Sequence, residues 1–158
     1  MKNLIFIAPP AAGKGTISEM IENRFNLPHI STGNLLRDEI AHMTKLGIEI
    51  KDIMARGELV SDDIITKLLK KRLSSKDIKK GYVLDGYPRN INQAIEYDKL
   101  LLDLSFDMGK VIYLKIDKET ATKRALSRVV CSKCGAHYHS YHRFPLLLEI
   151  NLDYLSCK

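Results

Sequence analysis

The chain opens on an unbroken apolar run, Leu4-Ile5-Phe6-Ile7-Ala8, with no polar residue alternating inside it. A strand with one wet face alternates, so this run suits a strand buried on both faces of a parallel sheet. Beyond Thr16 the period changes: Ile17, Met20, Ile21 and Phe25 recur at helical spacing and predict one apolar helix face. Residues 34–43, 46–55 and 61–73 read as three further helices. The last starts on Ser61 as N-cap, places Asp62 and Asp63 where negative charge complements the helix dipole, and shows Ile64, Ile65, Leu68 and Leu69 as its apolar stripe. Two short apolar stretches, 82–85 and 111–114, return to strand character on either side of a helical stretch at about 92–102. Asp117 is placed to cap a helix that carries Arg124 and Arg128 four residues apart, hence on one face. Strands alternating with helices in this order predict an α/β fold, a parallel sheet with helices on both faces. From Cys131 onward cysteine, histidine and tyrosine replace the helical period, and the chain has no internal repeat.

With 158 residues and 45% apolar content, the chain has room for one compact domain with small insertions and enough apolar side chains for a core. Its longest apolar runs fall far short of the roughly 20 residues that cross a bilayer. Met1-Lys2-Asn3 leads straight into the first run without a signal-cleavage pattern, so a cytoplasmic protein with no membrane partner is expected. The net charge of +6 suits nucleic acid and phosphorylated small molecules equally. Three cysteines in a chain of this kind argue against a disulfide framework, and the Cys131-Ser132-Lys133-Cys134 spacing suits a metal.

The segment Ala8-Pro9-Pro10-Ala11-Ala12-Gly13-Lys14-Gly15-Thr16 lies between the first strand and the first helix. In a phosphate-binding loop, backbone N–H groups curl around an anion, the helix directs its positive end at it, and a lysine adds mobile charge. Gly13-Lys14-Gly15-Thr16 meets those needs in the context they require. The usual loop has glycine where this chain has Ala8, and often where it has Ala11. If either position needs a left-handed backbone, alanine costs about 1–2 kcal/mol there.

Four blocks then follow one another: Gly13-Lys14-Gly15-Thr16, Ile30-Ser31-Thr32-Gly33-Asn34-Leu35-Leu36-Arg37, Gly57-Glu58-Leu59-Val60, and Leu84-Asp85-Gly86-Tyr87-Pro88-Arg89 with Gln93. In order and together they resemble adenylate kinase, a nucleoside monophosphate kinase, in its bacterial form with a long zinc-bearing lid. The resemblance covers essentially the whole chain. It implies the reversible transfer ATP + AMP = 2 ADP on a P-loop NTPase-type core at 1–30 and 61–126, with a helical AMP-binding insertion at 31–60. It also implies a lid at 127–158 that stops short, the family's C-terminal strand and helix being absent, and hence an impaired or inactive chain.

By the same resemblance, Ala11, Ala12, Gly13, Lys14, Gly15, Thr16, Arg124, Arg128, His137 and Tyr138 bind ATP. Thr32, Arg37, Glu58, Leu59, Val60, Gly86, Tyr87, Pro88, Arg89 and Gln93 bind AMP, and Lys14, Arg89 and Arg128 act on the transferred group. Arginine offers phosphate a planar fork, and threonine and glutamine can read a base edge, so the residue types agree with the roles. Asp85 and Thr16 are associated with Mg2+, an ion that needs few carboxylates beside water and phosphate oxygens. Cys131, Cys134 and Cys157 are the implied zinc ligands, three where a structural site takes four. ATP, AMP and ADP are the implied partners of a monomer that binds no nucleic acid. The Tyr87–Pro88 peptide is expected to be cis. Three alternatives stand beside this reading: a pyrimidine nucleoside monophosphate kinase, a zinc-ribbon nucleic-acid binder, and a nucleotide-binding fragment without catalysis.

Overall fold

Four short strands lie side by side in the order β2-β3-β1-β4, all parallel: β1 (Leu4–Ile7), β2 (His29–Ser31), β3 (Val83–Asp85) and β4 (Lys110–Tyr113). The computed structural model describes residues 3–56, 58–130 and 137–139, with side chains for 3–56 and 58–129. Its contacts divide the chain into one unit, Met1–Ala8 with Gly13–Leu114, and a second, Pro9–Ala12 with Lys115–Lys158.

The first unit is the expected α/β arrangement, five helices around the parallel sheet: α1 (Lys14–Phe25), α2 (Thr32–Ala41), α3 (Lys45–Ala55), α4 (Asp62–Leu73) and α5 (Ile91–Asp103). Side chains cap two of these where the sequence offers caps. Thr44 accepts from the Gly47 N–H (2.8 Å) ahead of α3, and Asn90 accepts from the Gln93 N–H (2.8 Å) ahead of α5. Ser61 holds the N-cap position of α4 with Asp62 and Asp63 in the first turn, as the sequence predicts, but its hydroxyl makes no capping bond. Along α4 the stripe settles on Leu68, Leu69 and Leu73, which join Ile5, Ile30 and Leu84 in the core.

Three tyrosines tie that core together. Tyr82 and Tyr97 share a hydroxyl–hydroxyl bond of 2.5 Å, and the Tyr87 ring stands edge-on to Tyr97 with centroids 5.9 Å apart. Burial pushes all three phenols above their ordinary pKa. At neutral pH they are hydrogen-bonding phenols, not phenolates.

Two expectations need correction. The predicted face of α1 is not the buried one: Met20 and Phe25 are 66% and 61% exposed, while Ser18 is fully buried. The side of α1 that meets β3 and β2 runs through this small residue, with Ile17 and Ile21 half-buried beside it. Spacing alone gave one apolar face, and close approach to the sheet favoured a slimmer side that keeps only Ile17 and Ile21 of it half-buried.

The second correction lies in the other unit, where α6 (Lys118–Leu126) starts on Asp117, whose carboxylate accepts from the Thr120 N–H at 2.8 Å. The helix ends before Arg128. Ser127 turns its hydroxyl back to the carbonyls of Lys123 and Arg124, and the β-branched Val129 and Val130 continue as strand β5 (Arg128–Val130). Strand β5 pairs antiparallel with β6 (His137–His139), with Arg128 opposite His139. Arg124 and Arg128 therefore belong to a helix and a strand and do not share a helical face. Among the described residues no helix is long and apolar enough to cross a membrane.

Candidate functional site

A parallel sheet gathers the ends of its strands, and the loops that follow them, along one edge. At that edge β2 and β3 finish together, Ser31 beside Asp85. Gly86 follows at φ 82°, a left-handed conformation that glycine adopts without penalty. Its carbonyl accepts from the Thr32 hydroxyl (3.0 Å) and from Arg89 Nε (2.7 Å). A Cβ added to Gly86 would stand 3.1 Å from both of those side chains, so the absence of a side chain lets them converge. The Tyr87–Pro88 peptide between them is cis, as expected from the sequence. Tyr87 itself is buried, its hydroxyl 3.1 Å from that of Thr66, so only its backbone faces the edge.

Gln93, 3% exposed, closes the cluster. Its Oε1 accepts from the Arg89 backbone N–H at 2.7 Å, and its Nε2 donates to Asp62 Oδ1 at 2.5 Å. Asn90 donates to the other Asp62 oxygen at 3.1 Å. These donations, Gln93's first, hold the Asp62 carboxyl below its ordinary pKa. Sequence reasoning placed Asp62 only as a helix-dipole acid and passed over Asn90. The available signal was the Asn-x-x-Gln spacing, an N-cap followed at N3 by a side chain that reaches back.

Near the same edge α2 carries Arg37, exposed and hydrogen-bonded to Asn34 Oδ1. A small crevice between α2 and α4 is lined by Thr32, Leu35, Leu36, Ile65 and Leu68, one hydroxyl on otherwise apolar walls. After α3, Glu58 pairs with Arg56 (2.9 Å), Leu59 is 95% exposed and Val60 is half-buried; Gly57 lies outside the described residues.

The phosphate-type loop starts as β1 ends. Lys14 opens α1 and donates from Nζ to the Ala8 carbonyl at 3.0 Å, and Gly13 precedes it at φ 91°. Gly15 has open space on its Cα, and Thr16 is exposed. In the other unit Ala12 turns back to the Pro9 carbonyl (3.4 Å), and Ala11 is held at φ 61°. Of the two glycine-for-alanine positions singled out above, Ala11 is the left-handed one.

Asp85 is nearly buried at the end of β3, with His29 Nε2 3.6 Å from its carboxylate. A hard carboxylate at the end of this strand suits a hydrated Mg2+ shared with phosphate oxygens. Among the described residues no three histidine, cysteine or acidic side chains form a metal-binding group. Arg124 and Arg128 are exposed in the second unit. His137 and Tyr138 are described as backbone of β6 only, and Cys131, Cys134 and Cys157 lie outside the described residues.

Comparison with known proteins meets this geometry from another direction. The family model for adenylate kinase matches residues 6–150. The adenylate kinase of Thermosipho africanus is 42% identical over 137 residues, 87% of this chain and 64% of that protein. Its counterpart in Fervidobacterium nodosum is 44% identical over 137 residues, 87% of this chain and 63% of the relative. For that of Lactobacillus helveticus the figures are 43% over 145 residues, 92% and 66%. The chain thus spans slightly less than two thirds of the curated relatives it matches. With its family model matched over nearly the whole length and relatives at 42–44% identity, the chain belongs to the adenylate kinase family.

Proposed function

We propose that this chain carries the AMP-binding and phosphate-loop half of an enzyme that transfers a phosphoryl group from ATP to AMP. One observation carries the reading. Thr32, Gly86, Arg89 and Gln93, contributed by α2, the β3–α5 turn and α5, are tied into a single hydrogen-bonded cluster at the ligand-binding edge of a parallel sheet.

In this reading Arg89 and Arg37 hold the AMP phosphate, Thr32 and Gln93 face its base, and residues 31–60 serve as the AMP-binding insertion. Glu58, Leu59 and Val60 flank the purine through their backbone. Lys14 leaves the Ala8 carbonyl for the phosphates of ATP, where its charge offsets the negative charge that spreads over the transferred group. Arg124 and Arg128 are assigned to ATP as well. When bound, Mg2+ neutralises phosphate charge, and Asp85, with Thr16, would hold its hydrated form. Transfer needs no covalent enzyme intermediate, so the protein's part is to align the AMP phosphate oxygen with the γ-phosphorus and exclude water. The resident metal of the lid, with Cys131, Cys134 and Cys157 as ligands, is proposed to be zinc, and a bound-metal assay of the purified chain decides it.

The test is direct. With Mg2+ and ATP labelled on its γ-phosphate, whatever transfer the chain supports, full or impaired, is expected to run to AMP in preference to CMP and UMP, and AMP is expected to bind by titration even where transfer is slow. Label passing to a pyrimidine nucleotide in preference to AMP, or no AMP binding by titration, overturns the proposal.

A further inference from the structure

We propose that Asp62 is a specificity-determining positioning residue: it fixes which way the Gln93 amide faces, and so selects a 6-aminopurine over a 6-oxopurine monophosphate. The inference rests on the reading above, in which Gln93 faces the base.

A primary amide offers two donors on nitrogen and two acceptor sites on oxygen, and its two ends are nearly alike in shape. Left to itself it can present either end to a ligand. Here two partners of opposite and unchangeable sense grip it. The Arg89 backbone N–H, which can only donate, meets Oε1 at 2.7 Å. The Asp62 carboxylate, which when ionised can only accept, meets Nε2 at 2.5 Å. Turning the amide over would set nitrogen against the Arg89 N–H and oxygen against the carboxylate, so both bonds would become repulsions. Asn90 steadies the carboxylate through its other oxygen and anchors the Gln93 backbone N–H, so Asp62 is itself held in place. The depressed pKa of Asp62 agrees with a carboxylate that is charged, and hence a pure acceptor, at neutral pH.

What remains on Gln93 is one acceptor site on oxygen and one N–H on nitrogen, side by side. A 6-aminopurine presents the complement along one edge, an exocyclic N–H donor next to a ring-nitrogen acceptor. A 6-oxopurine presents the reverse, a carbonyl next to a ring N–H. To accommodate it the amide would have to turn over, which Asp62 and Arg89 oppose. Of the two locks, Arg89's is main chain and present in every variant, so the side chain that sets the discrimination is Asp62.

The experiment is equilibrium titration of the chain with AMP and with inosine monophosphate, for wild type, Asp62→Asn, Asp62→Ser and Gln93→Leu, each with a thermal melt. Asp62→Asn keeps the shape but adds an amide donor where two donors already converge. The ratio of the two dissociation constants is expected to fall about tenfold in Asp62→Asn and Asp62→Ser, through weaker AMP and unchanged or tighter inosine monophosphate binding. A purely structural role for Asp62 in the first turn of α4 would lower the melting temperature and weaken both ligands alike, leaving the ratio in place, and that result overturns the proposal. Gln93→Leu separates the two levels of argument. If it weakens AMP while both Asp62 variants keep the wild-type ratio, Asp62 is not the determinant although the base reading stands. If Gln93→Leu leaves AMP binding unchanged, the base reading and this inference fall together.

Discussion

The base-side cluster and the phosphate-type loop sit at the ends of neighbouring strands, yet they are built in opposite ways. At the end of β3 each polar side chain is held by another part of the protein: Thr32 and Arg89 on the Gly86 carbonyl, Gln93 between Arg89 and Asp62, Asn90 on Asp62. At the start of α1 the N-cap is Gly13, which has no side chain to cap with, no acid occupies the first turn, and Ala11 bears a left-handed backbone. The first region has its dipoles set before any ligand arrives. The second leaves a helix N-terminus with no side-chain cap and a left-handed alanine, the setting in which the proposed phosphate would be held by helix dipole and backbone. A base, neutral and read by direction, benefits from fixed donors and acceptors; a phosphate, charged and nearly symmetric, benefits from positive potential more than from angle.

The largest effect that would sharpen this contrast is on the charged side. Lys14→Ala should lower ADP formation roughly 10²–10³-fold, the usual consequence of removing one group that stabilises developing charge. Circular dichroism and the melting temperature should change little, since Lys14 opens α1 outside the buried core and its Nζ bonds the Ala8 carbonyl. Near wild-type turnover in the variant would break the contrast at its first term.

Next in size is a packing effect between α2 and α3. Helices α2 and α3 cross at Gly47, where an added Cβ would lie 1.9 Å from the Glu39 carbonyl oxygen and 2.5 Å from its carbon. Both are backbone atoms and cannot swing aside. Gly47→Ala is expected to destabilise the fold by about 1–3 kcal/mol, the usual cost of overpacking, measured by urea denaturation, and to weaken AMP binding with it. An unchanged midpoint would mean that α3 shifts freely against α2.

These two residues also mark what the sequence could and could not disclose. Lys14 was legible because its chemistry is local: strand, glycine-bearing turn and helix lie within consecutive residues. So were the caps at Asp117 and the stripe of α4, both short-range patterns. Strand β2, by contrast, has only three residues, too few for any period, and exists because β3 lies beside it. The burial of Ser18 in place of Met20, and the end of α6 at Leu126, were settled by the sheet and by the Ser127 hydroxyl. The role of Asp62 was hidden for the same reason. Its partner Gln93 is 31 residues away, and nothing in the first turn of α4 says which side chain will arrive there.

A smaller effect concerns the tie between α2 and α4. Glu39 accepts from Lys71 Nζ (2.8 Å) and from the Thr44 hydroxyl (2.6 Å), and these bonds, Lys71's first, hold its carboxyl below the ordinary value of 4.5. A carboxyl with a depressed folded pKa contributes stability above its unfolded pKa and loses it as pH falls through the folded one. Melting temperature should therefore drop between about pH 5 and 3, and Glu39→Gln should flatten part of that drop. Lys71 is 74% exposed, so at neutral pH the pair is worth only about 0.2–1 kcal/mol. A pH profile identical in the variant would show that α2 and α4 are joined by apolar contact alone.

The smallest effect tests the strain assigned to the loop. At φ 61° Ala11 occupies a region where a Cβ crowds the following carbonyl, at about 1 kcal/mol or slightly more for an L-residue. Glycine would remove that crowding but would enter the unfolded state with more conformations to lose, a cost of roughly 0.5–1 kcal/mol. The two terms nearly cancel, so Ala11→Gly should raise stability by no more than about 0.5 kcal/mol. The informative readout is therefore ATP affinity compared with AMP affinity. A stiff alanine loop restricts the turn before any phosphate arrives, and a glycine loop must be ordered by the ligand. ATP binding is then expected to weaken up to a few-fold while AMP binding stays constant, because the base-side cluster owes nothing to residue 11. If Ala11→Gly instead tightens ATP binding, the left-handed alanine is a burden on the loop and not its preorganisation, and the two regions differ less than their hydrogen bonds suggest.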